Sequence, residues 1–249
     1  MKSFLYLTAL LTAFVAGLSG CNREDVGPLQ EGEKAFLIAN FDRLEVHSGM
    51  DVTVTQGSGI KIMAKGDQRN LDDLEVENRN GTLYINYRNF KNRKYATAFT
   101  ISMPTLRGVK YTGGVHGTVQ GFADLANLDV DLSGGSHGNF EVIAKRTDIV
   151  ASGGSKVTFT EPKVTTGGDD SILSLIDQVT LDVSGGSKVM AFEYPAHRVT
   201  AKASGGSQAE VNATESLTAE ASGGSKVRYR GNPANLNQNT SGGGKVERD

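Results

Sequence analysis

A Ser-Gly-Gly tripeptide, or its Thr-Gly-Gly equivalent, recurs through the second half of the chain. The units begin at Thr112, Ser133, Ser152, Thr166, Ser184, Ser204, Ser222 and Ser241. Successive units are separated by 21, 19, 14, 18, 20, 18 and 19 residues. A period of this length is too short for repeats built from helix pairs, and it suits one coil of a β-solenoid.

The residues that precede the tripeptide alternate between apolar and polar. The apolar positions are Leu128, Val130 and Leu132 in one unit, and Val179, Leu181 and Val183, Val199, Ala201 and Ala203, and Leu217, Ala219 and Ala221 in others. A period of two indicates a strand with one buried face. Because the register relative to Ser-Gly-Gly is constant, stacked coils would place aliphatic side chains over aliphatic side chains. Glycine suits the sharp corner because it adopts positive φ at little cost, and serine can bond the backbone of its own turn.

Two units depart from the pattern. The Thr166 unit follows too short an interval and has Lys163 at an apolar position, which indicates an insertion or a bulge. In the last unit, Leu236 is followed by the polar run 237–240. An open end coil would recruit other chains, so a polar final coil is expected as a cap.

Residues 36–110 also alternate between apolar and polar, as in Val52 and Val54. Asn80-Gly81, between two such runs, is a strong signal for a hairpin turn. No convincing amphipathic helix follows the N-terminal segment. The sequence predicts either less regular coils or a β-rich N-terminal cap for this half.

The N-terminus has the pattern of an export signal. Lys2 precedes an apolar run that ends at Leu18-Ser19-Gly20-Cys21, which resembles a bacterial lipobox. We therefore expect a signal peptide at 1–20, a lipid anchor to the membrane at Cys21 and a flexible tether at 21–35. The alternative is an ordinary secretory signal with an incidental cysteine. The run Asn22-Arg23-Glu24-Asp25 resembles a surface-export signal of Bacteroidetes lipoproteins, or is simply a solvated tether.

The charge balance argues against a nucleic-acid partner. Removing Lys2 with the signal leaves 25 Lys and Arg against 28 Asp and Glu, a net charge of about −3. Nucleic-acid binding needs a strongly basic face.

Several motifs together resemble one family. They are Phe41-Asp42-Arg43-Leu44-Glu45-Val46, Ser48-Gly49, Val52-Thr53-Val54-Thr55-Gln56-Gly57, Gly66-Asp67, Asn80-Gly81-Thr82-Leu83-Tyr84-Ile85, Met103-Pro104-Thr105-Leu106 and the Ser-Gly-Gly repeats. The chain, over roughly residues 36–230, is similar to the head GIN domain family, whose members are named as auto-transporter adhesins. The resemblance implies a β-helical fold and a place in the cell envelope, and it brings no catalytic motif.

The predicted architecture is an all-β chain with a right-handed parallel β-helix, or β-solenoid, of about 18–20-residue coils. Residues 36–110 form its β-rich N-terminal half, and residues 111–249 form the Ser-Gly-Gly solenoid.

The residue two places after each Gly-Gly is never apolar, so this column is expected to face solvent. Its members are His116, His137, Lys156, Asp170, Lys188, Gln208, Lys226 and Lys245. The basic members (all but Asp170 and Gln208) form a candidate ligand-facing ladder that can hold an anionic polymer such as an acidic glycan. The alternative is a solubilising row that discourages aggregation of an exposed sheet.

Catalytic and metal-binding motifs are weak. Gly134-Gly135-Ser136-His137-Gly138 matches the string G-x-S-x-G but lacks the strand-to-helix context of a nucleophile. His116 and His137 lie one coil apart, yet two histidines make a poor zinc site. The acidic pair Asp169 and Asp170 occurs in a single turn, which excludes a calcium ladder. We expect no cofactor, no metal and no enzymatic activity.

The sequence favours a non-catalytic, adhesin-like binding module of the cell envelope, whose ligand is a glycan or an envelope or host protein. The anchor places it at the outer membrane, either surface-exposed or facing the periplasm. A polysaccharide lyase or hydrolase using Asp169, Asp170 and the more distant Asp177, and a structural envelope scaffold, are the alternatives. The oligomeric state stays open.

Overall fold

The computed structural model describes residues 27–160 and 176–249. The signal peptide, Cys21 and the Thr166 unit with Asp169 and Asp170 lie outside the described residues. The predicted all-β class is confirmed, whereas the right-handed β-helix stays a prediction. The elements are β1 (Glu31–Phe36), β2 (Arg43–His47), β3 (Asp51–Gln56), β4 (Lys61–Asp67), α1 (Gln68–Asp72), β5 (Leu74–Arg79), β6 (Thr82–Tyr87), β7 (Ala98–Met103), β8 (Gly108–Thr112), β9 (His116–Ser133), β10 (His137–Ala151), β11 (Lys156–Phe159), β12 (Gln178–Val183), β13 (Lys188–Ala203), β14 (Gln208–Ala221), β15 (Lys226–Arg230), β16 (Asn235–Thr240) and β17 (Lys245–Arg248).

The strands pair in parallel around the Ser-Gly-Gly corners and form two ladders. The pre-corner ladder contains the strands that lead into each corner: β6, β2, β8, the ends of β9 and β10, β12, the ends of β13 and β14, and β16. The post-corner ladder contains the strands that leave it: β7, β3, the starts of β9 and β10, β11, the starts of β13 and β14, β15 and β17.

The register predicted from the corners is confirmed. Val199 pairs with Val179 on one side and with Leu217 on the other, and Ala201 pairs with Ala219. These inward residues are buried, so aliphatic side chains stack on aliphatic side chains along the core. Aromatic side chains also stack in this interior, where the Phe159 ring lies 4.5 Å from the ring of Tyr194.

The corners pack glycine directly on glycine. Gly153 has φ +62°, and a Cβ atom built there would lie 3.1 Å from the backbone nitrogen of Gly134 in the neighbouring corner. The second glycine, Gly154, has φ +79° and open space around the same position, while its N–H donates to the carbonyl of Gly185 at 3.0 Å. The first glycine is thus required by both backbone conformation and close approach, and the second by conformation alone.

The second serine of each repeat lies inside this corner. Ser136, Ser155, Ser187, Ser207 and Ser225 are at most 1% exposed. Their hydroxyls bond backbone groups, as where the Ser207 Oγ donates to the Val183 carbonyl at 2.7 Å and accepts from the Ser204 N–H at 3.1 Å. The serines therefore satisfy the buried backbone of the turns.

The corner stack passes directly from Gly153 to Gly185. The Gly154 N–H bonds Gly185, and Lys156 of β11 pairs with Lys188 of β13. Lys156 and Lys188 are therefore neighbours in the column, and Asp170, which the sequence spacing put between them, lies outside the described residues. The insertion or bulge predicted at the Thr166 unit stays a prediction.

A further corner in the N-terminal half does not follow the Ser-Gly-Gly pattern. Ser48 and Gly49 have φ +65° and +66°, and the Ser48 N–H donates to the Thr112 carbonyl at 3.1 Å. The strands around this corner, β2 and β3, pair in parallel with β8 and β9 on one side and with β6 and β7 on the other. The first half therefore supplies two members of each ladder.

Antiparallel strands close this end of the stack. The predicted hairpin at Asn80-Gly81 is confirmed: β5 and β6 pair antiparallel, and both turn residues have positive φ. Strand β4 pairs antiparallel with β7, and β1 with β4. Part of the expected flexible tether is thus strand, because β1 finds an edge to pair with and alternates in burial. The one-turn helix α1 (Gln68–Asp72) was also not predicted, since five residues carry no periodic signal.

Two ion pairs hold the closing elements in place. Asp67 caps α1 and bonds Arg69, whose guanidinium holds the pKa of this carboxyl far below its usual range. Burial raises the pKa of Asp73, but bonds from Arg93 and Asn89 outweigh burial and leave the pKa lowered. Both carboxylates are buried in the fold, so protonating either one removes a satisfied charge pair.

The corner geometry predicts unequal costs for two neighbouring glycine substitutions. Gly154→Ala should lower the free energy of unfolding by about 1 kcal/mol, because only positive φ opposes it. Gly153→Ala should cost about 2–3 kcal/mol, because the same strain is joined by a contact with Gly134. Urea unfolding measures both, and equal costs would refute the close approach of the corners.

The lowered pKa values predict loss of stability in acid. Depressed carboxyl pKa values contribute stability that is complete above the unfolded-state pKa, near 4, and is lost as pH falls through the folded-state values. The urea midpoint of the wild type should therefore fall between pH 5 and pH 2. Asp67→Asn should show a smaller fall over this window, because one of the two linked groups is gone. A parallel pH dependence in the variant would contradict the assignment.

Candidate functional site

The predicted column forms a continuous row along the post-corner ladder. Each of its described members is the first residue of its strand, and it pairs with the equivalent residue of the next strand. The row runs through His116, His137, Lys156, Lys188, Gln208, Lys226 and Lys245, all of them exposed or half-buried. The structure thus brings the basic ladder together, and its role in binding a ligand stays a prediction.

Acidic residues from the neighbouring row neutralise part of the ladder. Lys188 Nζ lies 3.2 Å from Glu210, and Lys226 Nζ lies 2.8 Å from Glu247. Because neighbouring strands are only about 4.8 Å apart, an uncompensated row of cations would repel itself. Within residues 27–160 and 176–249, Lys156 and Lys245 make no such ion pair. The charge open to an anionic ligand is therefore smaller than the sequence indicates.

Two histidines stack at the other end of the row. The rings of His116 and His137 are 5.2 Å apart at an interplanar angle of 25°, and Asp51 Oδ1 lies 3.5 Å from His116 Nδ1. Asp51 occupies the equivalent position on β3, which sequence reasoning did not include in the column. Among the described residues, no group of three or more His, Cys, Asp or Glu side chains is placed to hold a metal ion.

A second polar row runs beside the first. Thr53, Thr118, Asn139 and Thr158 pair in register, two residues beyond the members of the column. A shallow open depression lies two residues further along the same strands. It is lined by Thr55, Gln56, Gln120, Gly121 and Glu141. Counting outward from each corner would have found these residues, but the missed corner at Ser48-Gly49 hid the contribution of β3.

We call the stacked histidines, Lys156, the row Thr118–Asn139–Thr158 and the depression the histidine face. Asp51, His137 and Asn139 are exposed on it, and its polar atoms come from rigid paired strands. Fixed side chains spaced by one strand separation can match the regular spacing of hydroxyl groups on a polymer. The face offers hydrogen-bond donors and acceptors with little net charge.

The G-x-S-x-G string does not form a nucleophile. Ser136 is fully buried, and its Oγ donates to the Ser133 carbonyl at 2.8 Å and accepts from the Val115 N–H at 3.2 Å. His137, the adjacent residue on the strand, points to solvent. Successive side chains of a strand point to opposite faces, so this histidine cannot activate the serine.

The carboxylates of the enzymatic alternative are only partly described. Asp177 lies 2.8 Å from Arg198, in an exposed ion pair of the pre-corner ladder. Asp169 and Asp170 lie outside the described residues. Nothing in the described geometry brings Asp177 together with a second carboxylate.

The family described as "Putative auto-transporter adhesin, head GIN domain" matches residues 40–233, most of the chain. This chain belongs to the head GIN domain family. The corners up to Ser222 and the histidine face fall inside the matched region, whereas the last corner, β16 and β17 lie beyond it. The family is named for adhesion and not for a reaction.

Solved structures share the head GIN architecture. A "putative adhesin" from Bacteroides fragilis superposes with a TM-score of 0.78 at 18% identity, over 88% of this chain and 97% of that one. A "putative adhesin" from Parabacteroides distasonis gives a TM-score of 0.67 at 18% identity, over 90% and 98%. A "putative lipid binding protein" from the same species gives 0.62 at 16% identity, over 88% and 96%. At these identities the likeness establishes the fold.

Among curated proteins, none matches this head GIN chain significantly. No helix in the described part of the chain has the length and apolarity needed to cross a bilayer.

Neighbouring residues in one corner give a test of the buried serine. Ser136→Ala should lower the free energy of unfolding by about 1–2 kcal/mol, because it removes a hydroxyl that bonds two buried backbone groups. His137→Ala is the matched control and should change it by less than about 0.5 kcal/mol, because the side chain is exposed. Urea unfolding of the two variants measures the difference, and an unaffected Ser136→Ala would contradict a structural role.

Proposed function

We propose that this head GIN protein is a lipid-anchored, non-catalytic binding module of the cell envelope that presents the histidine face to a glycan. The chain is proposed to wind as a right-handed parallel β-helix, with Cys21 as the site of lipidation. The observation that carries the proposal is the exposed, in-register pair of polar rows beside the depression at Gln120 and Glu141.

The chemistry of the face favours a glycan over a strongly charged polymer. The imidazole edges of the stacked His116 and His137, together with the amides of Asn139 and Gln120, offer hydrogen-bonding groups to the hydroxyls of a sugar. Small-molecule sites commonly combine apolar or aromatic contacts with a few placed polar groups. Lys156 leaves room for one carboxylate or sulfate on the sugar, whereas Lys188 and Lys226 are already paired with acids.

Envelope location is supported by the adhesin name of the family and by the lipobox-like sequence before Cys21. One solved relative is named for lipid binding, which suits a protein that works next to a bilayer. Antibody labelling of intact and permeabilised cells distinguishes a surface position from a periplasm-facing one. Labelling only after permeabilisation would remove adhesion to other cells from the proposal.

Binding to a glycan array tests the proposed face. The double variant His137→Ala/Asn139→Ala should weaken binding of any glycan that the wild type retains by tenfold or more, since each side chain contributes a hydrogen bond of about 1 kcal/mol and about 1.4 kcal/mol corresponds to a factor of ten. Calorimetric titration of the strongest glycan gives the affinities.

The matched control is Asp148→Ala, on the same strand β10 but in the pre-corner ladder. It should leave the affinity unchanged. Equal losses in both variants would place the glycan elsewhere, and the absence of any retained glycan would contradict the proposal.

A structural scaffold is the second candidate. The internal pairing of Lys188 with Glu210 and of Lys226 with Glu247 favours it, because these charges act within the protein and not on a ligand. A scaffold would need only the stable ladders, so it predicts normal envelope assembly in the His137→Ala/Asn139→Ala variant.

A further inference from the structure

The outermost corner of the stack differs from all the others. Where the repeats have Ser-Gly-Gly, the connection between β6 and β7 is the ten-residue loop 88–97. Its third residue, Phe90, is fully exposed, and Arg88, Lys91 and Lys94 are exposed around it. We call residues 88–97 the basic loop.

The basic loop is held rigidly from within. The Arg93 guanidinium stacks 3.4 Å from the ring of Tyr87, pairs with Asp73 and donates to Asn70 Oδ1 at 2.7 Å. Its side chain is only 9% exposed. Phe90 is therefore presented to solvent on a fixed support, although exposing an aromatic side chain is unfavourable in water.

The chain from the proposed anchor enters the fold at this loop. The Tyr95 hydroxyl donates to the Gly27 carbonyl at 2.9 Å, and Arg69 donates to the Pro28 carbonyl at 3.0 Å. Only six residue steps separate Gly27 from Cys21, a reach of about 20 Å when extended. Leu29, which is 42% exposed, adds a second apolar side chain beside the entry point.

The charge of this end suits an anionic surface. Residues 67–73 and 88–97 contain Arg69, Arg88, Lys91, Arg93 and Lys94 against Asp67, Asp72 and Asp73, a net charge of +2. The whole chain has a formal net charge of −2. Asp67 and Asp73 are buried and paired with Arg69 and Arg93, and the exposed cations are Arg88, Lys91 and Lys94.

We propose that the basic loop docks on the membrane that holds the lipid anchor, with Phe90 inserted among the lipid headgroups and Lys91 and Arg88 on anionic phosphates. This inference rests on the proposed anchoring at Cys21. A basic patch held close to a bilayer adds electrostatic attraction to anionic lipids. Docking at this end would let the stack extend away from the bilayer, with the histidine face nearer the membrane than Lys245.

The absence of tryptophan from the chain provides a clean reporter. The mature Phe90→Trp variant is reconstituted into vesicles of phosphatidylethanolamine and phosphatidylglycerol. We expect a blue-shifted emission that brominated lipids quench. Leu236→Trp, in the last coil at the other end of the ladders, is the matched control and should show neither effect.

Charge is tested in the same background. Adding Lys91→Gln to Phe90→Trp should reduce the partition of the loop into anionic vesicles roughly fivefold, since each basic residue near such a surface contributes about that factor. High salt should reduce it as well. Equal quenching in pure phosphatidylcholine vesicles would overturn the anionic contact.

The anchor and the docking surface are tested by different measurements. The intact mass of the mature protein shows whether Cys21 carries lipid, and a missing lipid refutes the anchor. If the lipid is missing, the Phe90→Trp protein is added to excess anionic vesicles and its emission is measured. Quenching by brominated lipids then supports the docking surface without the anchor. Unquenched emission, with or without the lipid on Cys21, overturns it.

Discussion

The close approach of successive glycine corners is the constraint on which the rest of the structure depends. A Cβ atom at Gly185 would lie 3.1 Å from the nitrogen of Gly153, so the two corners approach as closely as backbones allow. The carbonyl of each corner then accepts the N–H of its neighbour, and the buried serines bond the groups that remain. Once a corner is fixed, the strands on both sides of it are fixed in register, because a slip of one residue would turn every apolar side chain outward.

A fixed register has an electrostatic consequence. Residues at the same distance from each corner form a row, so lysines at one such position become a line of cations about 4.8 Å apart. The structure relieves this repulsion by placing Glu210 and Glu247 in the next row, opposite Lys188 and Lys226. Towards His116 the row contains uncharged or weakly basic rings, and the neighbouring row contains Thr118 and Asn139. The two ends of one geometrical row therefore differ in what they offer a ligand.

The corners explain which parts of the fold sequence reasoning predicted. The repeat predicted the order of the row from His116 to Lys156 and from Lys188 to Lys245. A Gly-Gly pair indicates positive φ from the sequence alone, so these corners can be located without knowing their contacts. The corner at Ser48-Gly49 was not predicted, because Ser48 has φ +65° without being glycine and Met50 stands at the position of the buried serine. Strand β1 was not predicted, because its polar sequence forms a strand only through its tertiary pairing with β4.

The depression beside Gln120 shows the same limit for the site. It needs the side chains of Thr55 and Glu141 from strands distant in sequence, and Gly121 at φ +84° interrupts the regular alternation there. The spacing of the Gly-Gly pairs indicates Gln120 and Glu141, but it misses Thr55, whose corner lacks Gly-Gly, and the irregular Gly121.

The two ends of the stack treat their outermost strand edges in opposite ways: one end is covered and the other is open. At one end, β5 pairs antiparallel with the outer strand β6, and β4, which is itself paired with β1, pairs antiparallel with the outer strand β7. At the other end, β16 is exposed along its whole length, and its residues 237–240 are all polar, as the sequence predicted for a final coil. An open edge offers unpaired backbone groups, and polar side chains make its pairing with another chain less favourable. The covered end is also where Gly27 is bound by Tyr95, so under the proposed anchoring the chain places its closed edge against the bilayer and its open edge in solution.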